Sequence, residues 1–178
     1  MNKKHIQIII VLTLITLGFI SRLLPHPANF APIGAIALFC GMYLPRKWSI
    51  VAPIAALFVS DLIIGLYNPK MMIAVYLSFA IMVVCGHFAH TKKTLARVAG
   101  VTTLGSILFF LITNAAVWLF GTMYPPTLAG LIQSYEMAIP FFRNSFMADI
   151  FYVGILVGSA ELAMKQIYKK MEAHKSAA

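Results

Sequence analysis

Charge is scarce in this chain, and negative charge most of all. Only 11% of its 178 residues are charged, with five Asp or Glu against 14 Lys or Arg, where globular domains carry about 25% charged residues. So few charges cannot cover a water-facing surface, and a soluble domain of this composition would expose apolar patches that drive association. Polar residues are also too sparse for a disordered chain. Cysteine is limited to Cys40 and Cys85, which excludes a disulfide scaffold, and with no CxxC pattern each thiol reads as a core residue. No Walker motif, Gly-rich nucleotide loop or GxSxG elbow occurs. His87 and His90 lack the HExxH-type context of a metal site and sit beside Lys92 and Lys93, as interfacial residues would. The expectation is therefore no catalytic centre, no metal, no cofactor and no enzymatic activity.

What fills the chain is hydrocarbon. Hydrophobic residues make up 61% and mean hydropathy is +0.87. The fold class this implies is all-α, a polytopic membrane protein forming one integral domain over residues 1–178, with the lipid bilayer as its first partner. A net charge of +9 could suggest nucleic acid, but the basic residues fall in short clusters between apolar runs, with no basic face interleaved with aromatics.

A membrane-crossing helix needs roughly 17–25 apolar residues. Runs of that kind occur at residues 6–24, 50–67, 71–89, 98–123 and 146–165, and a shorter one at 31–44 is bounded by Pro32 and Pro45. Counting the short run gives six spans. With the N-terminus inside, eleven basic residues face the cytoplasm (Lys3, Lys4, Arg46, Lys47, Lys92, Lys93, Arg97, Lys165, Lys169, Lys170 and Lys175) and three face outward (Arg22, Lys70 and Arg143). That asymmetry is the usual orienting signal, and it predicts an inner-membrane protein with both termini cytoplasmic. Ser21, Arg22 and two leucines follow the first run instead of a small-residue cleavage site, so the run reads as an uncut anchor.

Ionisable groups inside a membrane are costly and mark candidate sites. Asp61, Asp149, Arg22 and Arg143 fall toward the outer ends of the spans, together with Asn114, His26 and Asn29. One reading makes Arg22–Asp61 or Arg143–Asp149 structural ion pairs. The other gathers all seven into an outward-facing pocket, in which the arginines attract anionic groups and the asparagines provide directional hydrogen bonds. Glu161, four residues before Lys165, reads as an ordinary helix-face pair.

Two outer connections stand out. Pro25–Pro32 (PHPANFAP) carries three prolines, which forbid a regular helix and stiffen the chain. Gly121–Phe146 begins with Tyr124-Pro125-Pro126 and continues with helical spacing at Leu128, Leu131, Ile132 and Tyr135 behind a potential N-cap, Thr127. This predicts an amphipathic segment that either caps the bundle or lies on the lipid. Small residues four apart (Ala31/Ala35, Ala37/Gly41, Ala52/Ala56 and Gly154/Gly158) permit close helix approach, within the chain or against a partner.

The stretch Arg22–Leu44, RLLPHPANFAPIGAIALFCGMYL, resembles the signature of a small uncharacterised bacterial integral membrane family. Ser60-Asp61, Thr113-Asn114 with Trp118, Tyr124-Pro125, Thr127–Gly130 and IPFFRN before the last span fit the same pattern. More distantly the plan is similar to the S components of energy-coupling-factor (ECF) vitamin transporters, including the solitary cobalamin-transporting branch. That resemblance implies a six-helix bundle that captures a small, vitamin-like solute at the outer face, gated by the first and fifth connections. It also implies an ATPase coupling module as partner, although the Ala-x-x-x-Ala docking pattern of that family is missing, since residues 6–24 contain no alanine. The rival expectation is a non-transporting membrane subunit or assembly factor whose polar cluster is structural.

Overall fold

The computed structural model describes residues 3–25 and 27–176, and every regular element among them is helical. In chain order these are α1 (Lys3–Leu23), α2 (Ile33–Tyr43), α3 (Arg46–Ser49), α4 (Val51–Ile64), α5 (Pro69–His87), α6 (Leu95–Phe120) and α7 (Leu128–Ser176). α3 and α4 abut at Ile50 and together form the apolar run Arg46–Ile64. Among the described residues, four helices are long and apolar enough to cross a membrane: Arg46–Ile64, Pro69–His87, Leu95–Phe120 and the Leu128–Ile167 part of α7. Two shorter apolar helices accompany them, Gln7–Leu23 and Ile33–Tyr43.

The helices start where local chemistry directs. Asn68 caps α5 by accepting from the Lys70 N–H at 3.0 Å, with Pro69 at the first helical position, where its missing N–H costs nothing. Thr94 caps α6 through Arg97 N–H at 3.3 Å, and Thr127 caps α7 through Gly130 N–H at 3.1 Å. Gly65, at φ +117°, closes α4 by donating its N–H to the Asp61 carbonyl, a backbone geometry that a side chain would strain.

α2 is the hub. Nine of its 11 residues are buried, and it is surrounded by α4, α5, α6 and α7. Its contact with α5 is backbone on backbone. A Cβ added at Gly41 would collide with the Val83 carbonyl, and one added at Gly86 would collide with the Leu38 carbonyl. Ala35, Ala37, Ala52 and Ala56 are likewise buried inside the chain, so three of the four small-residue pairs contribute to internal packing. Gly154 and Gly158 differ, with open space where a side chain would stand. The outer surface carries a belt of exposed Leu, Ile and Phe, among them Leu62, Ile73, Leu77 and Phe151. In water that belt would drive aggregation; in lipid it is the expected exterior.

α7 corrects the sequence reading. The amphipathic segment and the last span were expected as separate elements, yet they form one helix of 49 residues that runs through Pro140. Proline leaves the Glu136 carbonyl without its i+4 donor, and the cost is met by packing on both sides. Tyr135 donates to the Leu111 carbonyl at 2.9 Å, and Phe142 stacks beside Phe110 at 4.7 Å. Ser134 and Asp149 are about four turns apart on α7, but their partners Asn114 and Ser106 are only about two turns apart on α6. Over this stretch α7 therefore crosses α6 obliquely.

Candidate functional site

At the end of the bundle where α1 and α4 finish and α2 and α5 begin lies a cavity of about 360 Å³. Ile33, Leu57, Val75, Phe79, Met82 and Phe109 give it apolar walls, and its polar lining comes from Arg22, Asn29, Ser145 and Asp149. A few polar groups set in an apolar wall between helices is the usual build of a small-molecule site.

Two buried carboxylates flank this space in different ways. Asp61, 1% exposed, forms an ion pair with Arg22 (2.7 Å) and accepts a hydrogen bond from the Tyr76 hydroxyl at 2.8 Å. Arg22 also donates to Ser60 Oγ and, at 3.3 Å, to the Leu57 carbonyl. The two charges are thus balanced within the protein, as a buried pair requires, with all three Arg22 contacts made by Nη1. Asp149, 6% exposed, has only a neutral partner: the Ser106 hydroxyl donates to Oδ2 at 2.7 Å. Oδ1 points at the first turn of α2, where Gly34 makes room, since a Cβ there would collide with the carboxylate. The orphan N–H groups of that turn give it partial positive charge, which favours a nearby carboxylate.

The expected Arg143–Asp149 pair does not form. Both residues lie on one continuous helix, where a separation of six places them about 120° apart around the axis and more than a turn apart along it. Arg143 is exposed, outside the cavity lining and without an ion pair, the Arg22–Asp61 bridge being the one salt bridge among the described residues. Asn114 is also turned away from the cavity, its amide bonded to the Phe110 carbonyl of its own helix at 2.8 Å. Asn29 lines the mouth at φ +60°, a left-handed conformation that Asn tolerates better than most residues. His26 lies outside the described residues. Of the seven residues singled out from sequence, the cavity thus brings together Arg22, Asn29 and Asp149, with Asp61 behind Arg22.

Glu161 is corrected too. It accepts a hydrogen bond from the Tyr43 hydroxyl at 2.5 Å and makes no ion pair with Lys165, so it ties α7 to the end of α2. Lys93 sits over the Tyr43 ring at 4.6 Å. His87 and His90 bond to the Val83 and Met42 carbonyls, each at 2.9 Å, and the described residues contain no group of three metal-ligating side chains.

Sequence reasoning missed Ser106, Tyr76 and Gly34. Ser106 and Tyr76 are polar groups in otherwise apolar helices, and asking which donor could satisfy each buried carboxylate would have raised both. Gly34 gives no signal without its neighbour. The mouth is pinned by Asn144, which donates to the Ala28 carbonyl at 3.0 Å, and by Phe30, which packs on Phe151 and Tyr152. On the far side of α6, Trp118 donates to the Pro125 carbonyl at 3.0 Å.

No curated protein matches this chain, and no solved structure does. One family model, described as a family of unknown function (DUF6580), matches residues 2–173, and the chain belongs to that family.

Proposed function

We propose that this protein captures a small solute at the outer face of a bacterial inner membrane, in the manner of the ECF S components its plan resembles. In this reading both short helices count as crossings, the bundle spans the bilayer six times, and both termini are cytoplasmic. The observation that carries it is the cavity of about 360 Å³ with apolar walls and the Arg22, Asn29, Ser145 and Asp149 polar groups. Orientation is supported by charge: the end opposite the cavity carries Arg46, Lys47, Lys92, Lys93 and Arg97, the mark of a cytoplasmic face. The first connection, Pro25–Pro32, and the oblique start of α7 would be the gating elements. Any ATPase module would have to dock without alanines on α1.

The test is native mass spectrometry of the full chain gently extracted from membranes, beside a cavity-filling Val75→Trp variant. A small molecule retained by the wild type and lost from the variant supports capture. A wild type that emerges free of any small molecule but bound to a larger membrane complex refutes it.

That second outcome would favour a non-transporting subunit, with no enzymatic role in either case. One observation speaks for it: the Arg22–Asp61–Tyr76–Ser60 network balances its own charge without a ligand.

A further inference from the structure

We propose that the cavity takes a solute carrying a cationic nitrogen, held by the Asp149 carboxylate beside the packed Phe79 and Phe109 rings. The inference rests on reading this cavity as a solute site and adds the chemical class of its occupant. Two charged side chains line the space, Arg22 and Asp149. The positive one already has a full counter-charge, because Arg22 Nη1 pairs with Asp61 and also donates to Ser60 Oγ and the Leu57 carbonyl. The negative one is not. Asp149 has the Ser106 hydroxyl on one oxygen, and among the described residues no cation lies within ion-pairing distance of it.

A carboxylate in low dielectric is costly until a full opposite charge meets it. The first turn of α2 offers only a partial charge, which does not neutralise it. A solute cation would complete the balance, whereas an anion would be repelled by Asp149. The walls suit the same chemistry. Phe79 and Phe109 lie 4.8 Å apart at the cavity edge, and aromatic faces attract desolvated cations. With Arg22 committed and Arg143 outside the lining, anion capture by the two arginines loses its basis.

The experiment uses the full chain in nanodiscs at neutral pH with three probes of one shape: benzylammonium, benzyl alcohol and benzoate, each measured by equilibrium dialysis. Benzylammonium should bind about tenfold more tightly than benzyl alcohol, and benzoate most weakly. Asp149→Asn should bring benzylammonium and benzyl alcohol to similar affinity, and Val75→Trp should remove all binding. If the probes bind and Val75→Trp blocks them, but benzylammonium has no advantage, the cationic class is overturned while the cavity reading survives. An advantage that persists in Asp149→Asn overturns the assignment to Asp149. If no probe binds wild type, or Val75→Trp changes nothing, both readings fall. Should Asp149→Asn fail to fold, the wild-type ranking of the three probes still decides the class.

Discussion

Removing the Arg22 guanidinium should cost the fold far more than removing Arg22 and Asp61 together. In Arg22→Met, Asp61 stays buried at 1% exposure with the Tyr76 hydroxyl as its one remaining side-chain partner. Breaking a buried pair by deleting one member costs about 3–5 kcal/mol, because the other charge is left uncompensated. Asp61→Leu leaves the opposite orphan, but the Arg22 side chain is 21% exposed and its long stem can carry the charge toward water. The cost there should fall to about 1–3 kcal/mol. Replacing both, Arg22→Met with Asp61→Leu, exchanges the pair for apolar volume and should be near neutral. The coupling energy of the cycle is then about 3 kcal/mol or more, well above the few tenths expected for independent sites. Reversible unfolding of the full chain in mixed micelles measures all four corners. If the two single losses simply add in the double variant, the account of a self-contained structural pair is wrong.

Four further outcomes follow from the geometry. Ser106→Ala strips the donor from Asp149 Oδ2 and should destabilise the chain by about 1–3 kcal/mol, read from the same unfolding curves. Gly41→Ala and Gly86→Ala each drive a methyl into a backbone carbonyl and should cost at least about 1–3 kcal/mol, whereas Gly158→Ala, facing open space, should be neutral or slightly stabilising in thermal melts. Tyr43→Phe removes the hydrogen bond to Glu161, and because that carboxylate is exposed the loss should stay below about 1.5 kcal/mol. Single cysteines at Tyr124 and Lys70 should react with an impermeant thiol reagent from outside intact cells, and those at Lys47 and Lys92 only after permeabilisation. Labelling of Tyr124 and Lys47 from the same side would refute the proposed topology.

Much of this was legible from residues alone, for reasons that can be named. The apolar runs at 50–67, 71–89 and 98–123 come within a few residues of α4, α5 and α6, because hydrophobic run length is a local signal. The Arg22–Asp61 pair was legible as one of two readings, since both residues fall at the same end of apolar helices. The continuity of α7 was not legible, because proline is a strong breaker in isolation and the packing of Tyr135 and Phe142 against α6, which flanks Pro140, is invisible one residue at a time. The Arg143–Asp149 expectation fell with it, since it placed Arg143 in a connection before a span beginning at residue 146, whereas both residues lie on one helix. Glu161 went the same way: an i, i+4 lysine is a weak attraction, and the Tyr43 hydroxyl that outcompetes it lies more than a hundred residues away in sequence.

The glycine contact between α2 and α5 also decides which parts of this protein can move. With the two backbones touching at Gly41 and Gly86, no side chain lies between them to swap rotamers and let them slide. Gly34 and Ile33 on one helix, and Val75, Phe79 and Met82 on the other, therefore behave as a single rigid jaw. Any widening of the space they border must come from the opposing side, and there α7 carries both Asp149 and the Asn144 tether to the proline-rich connection. The carboxylate and the latch would then travel together, so that releasing one displaces the other.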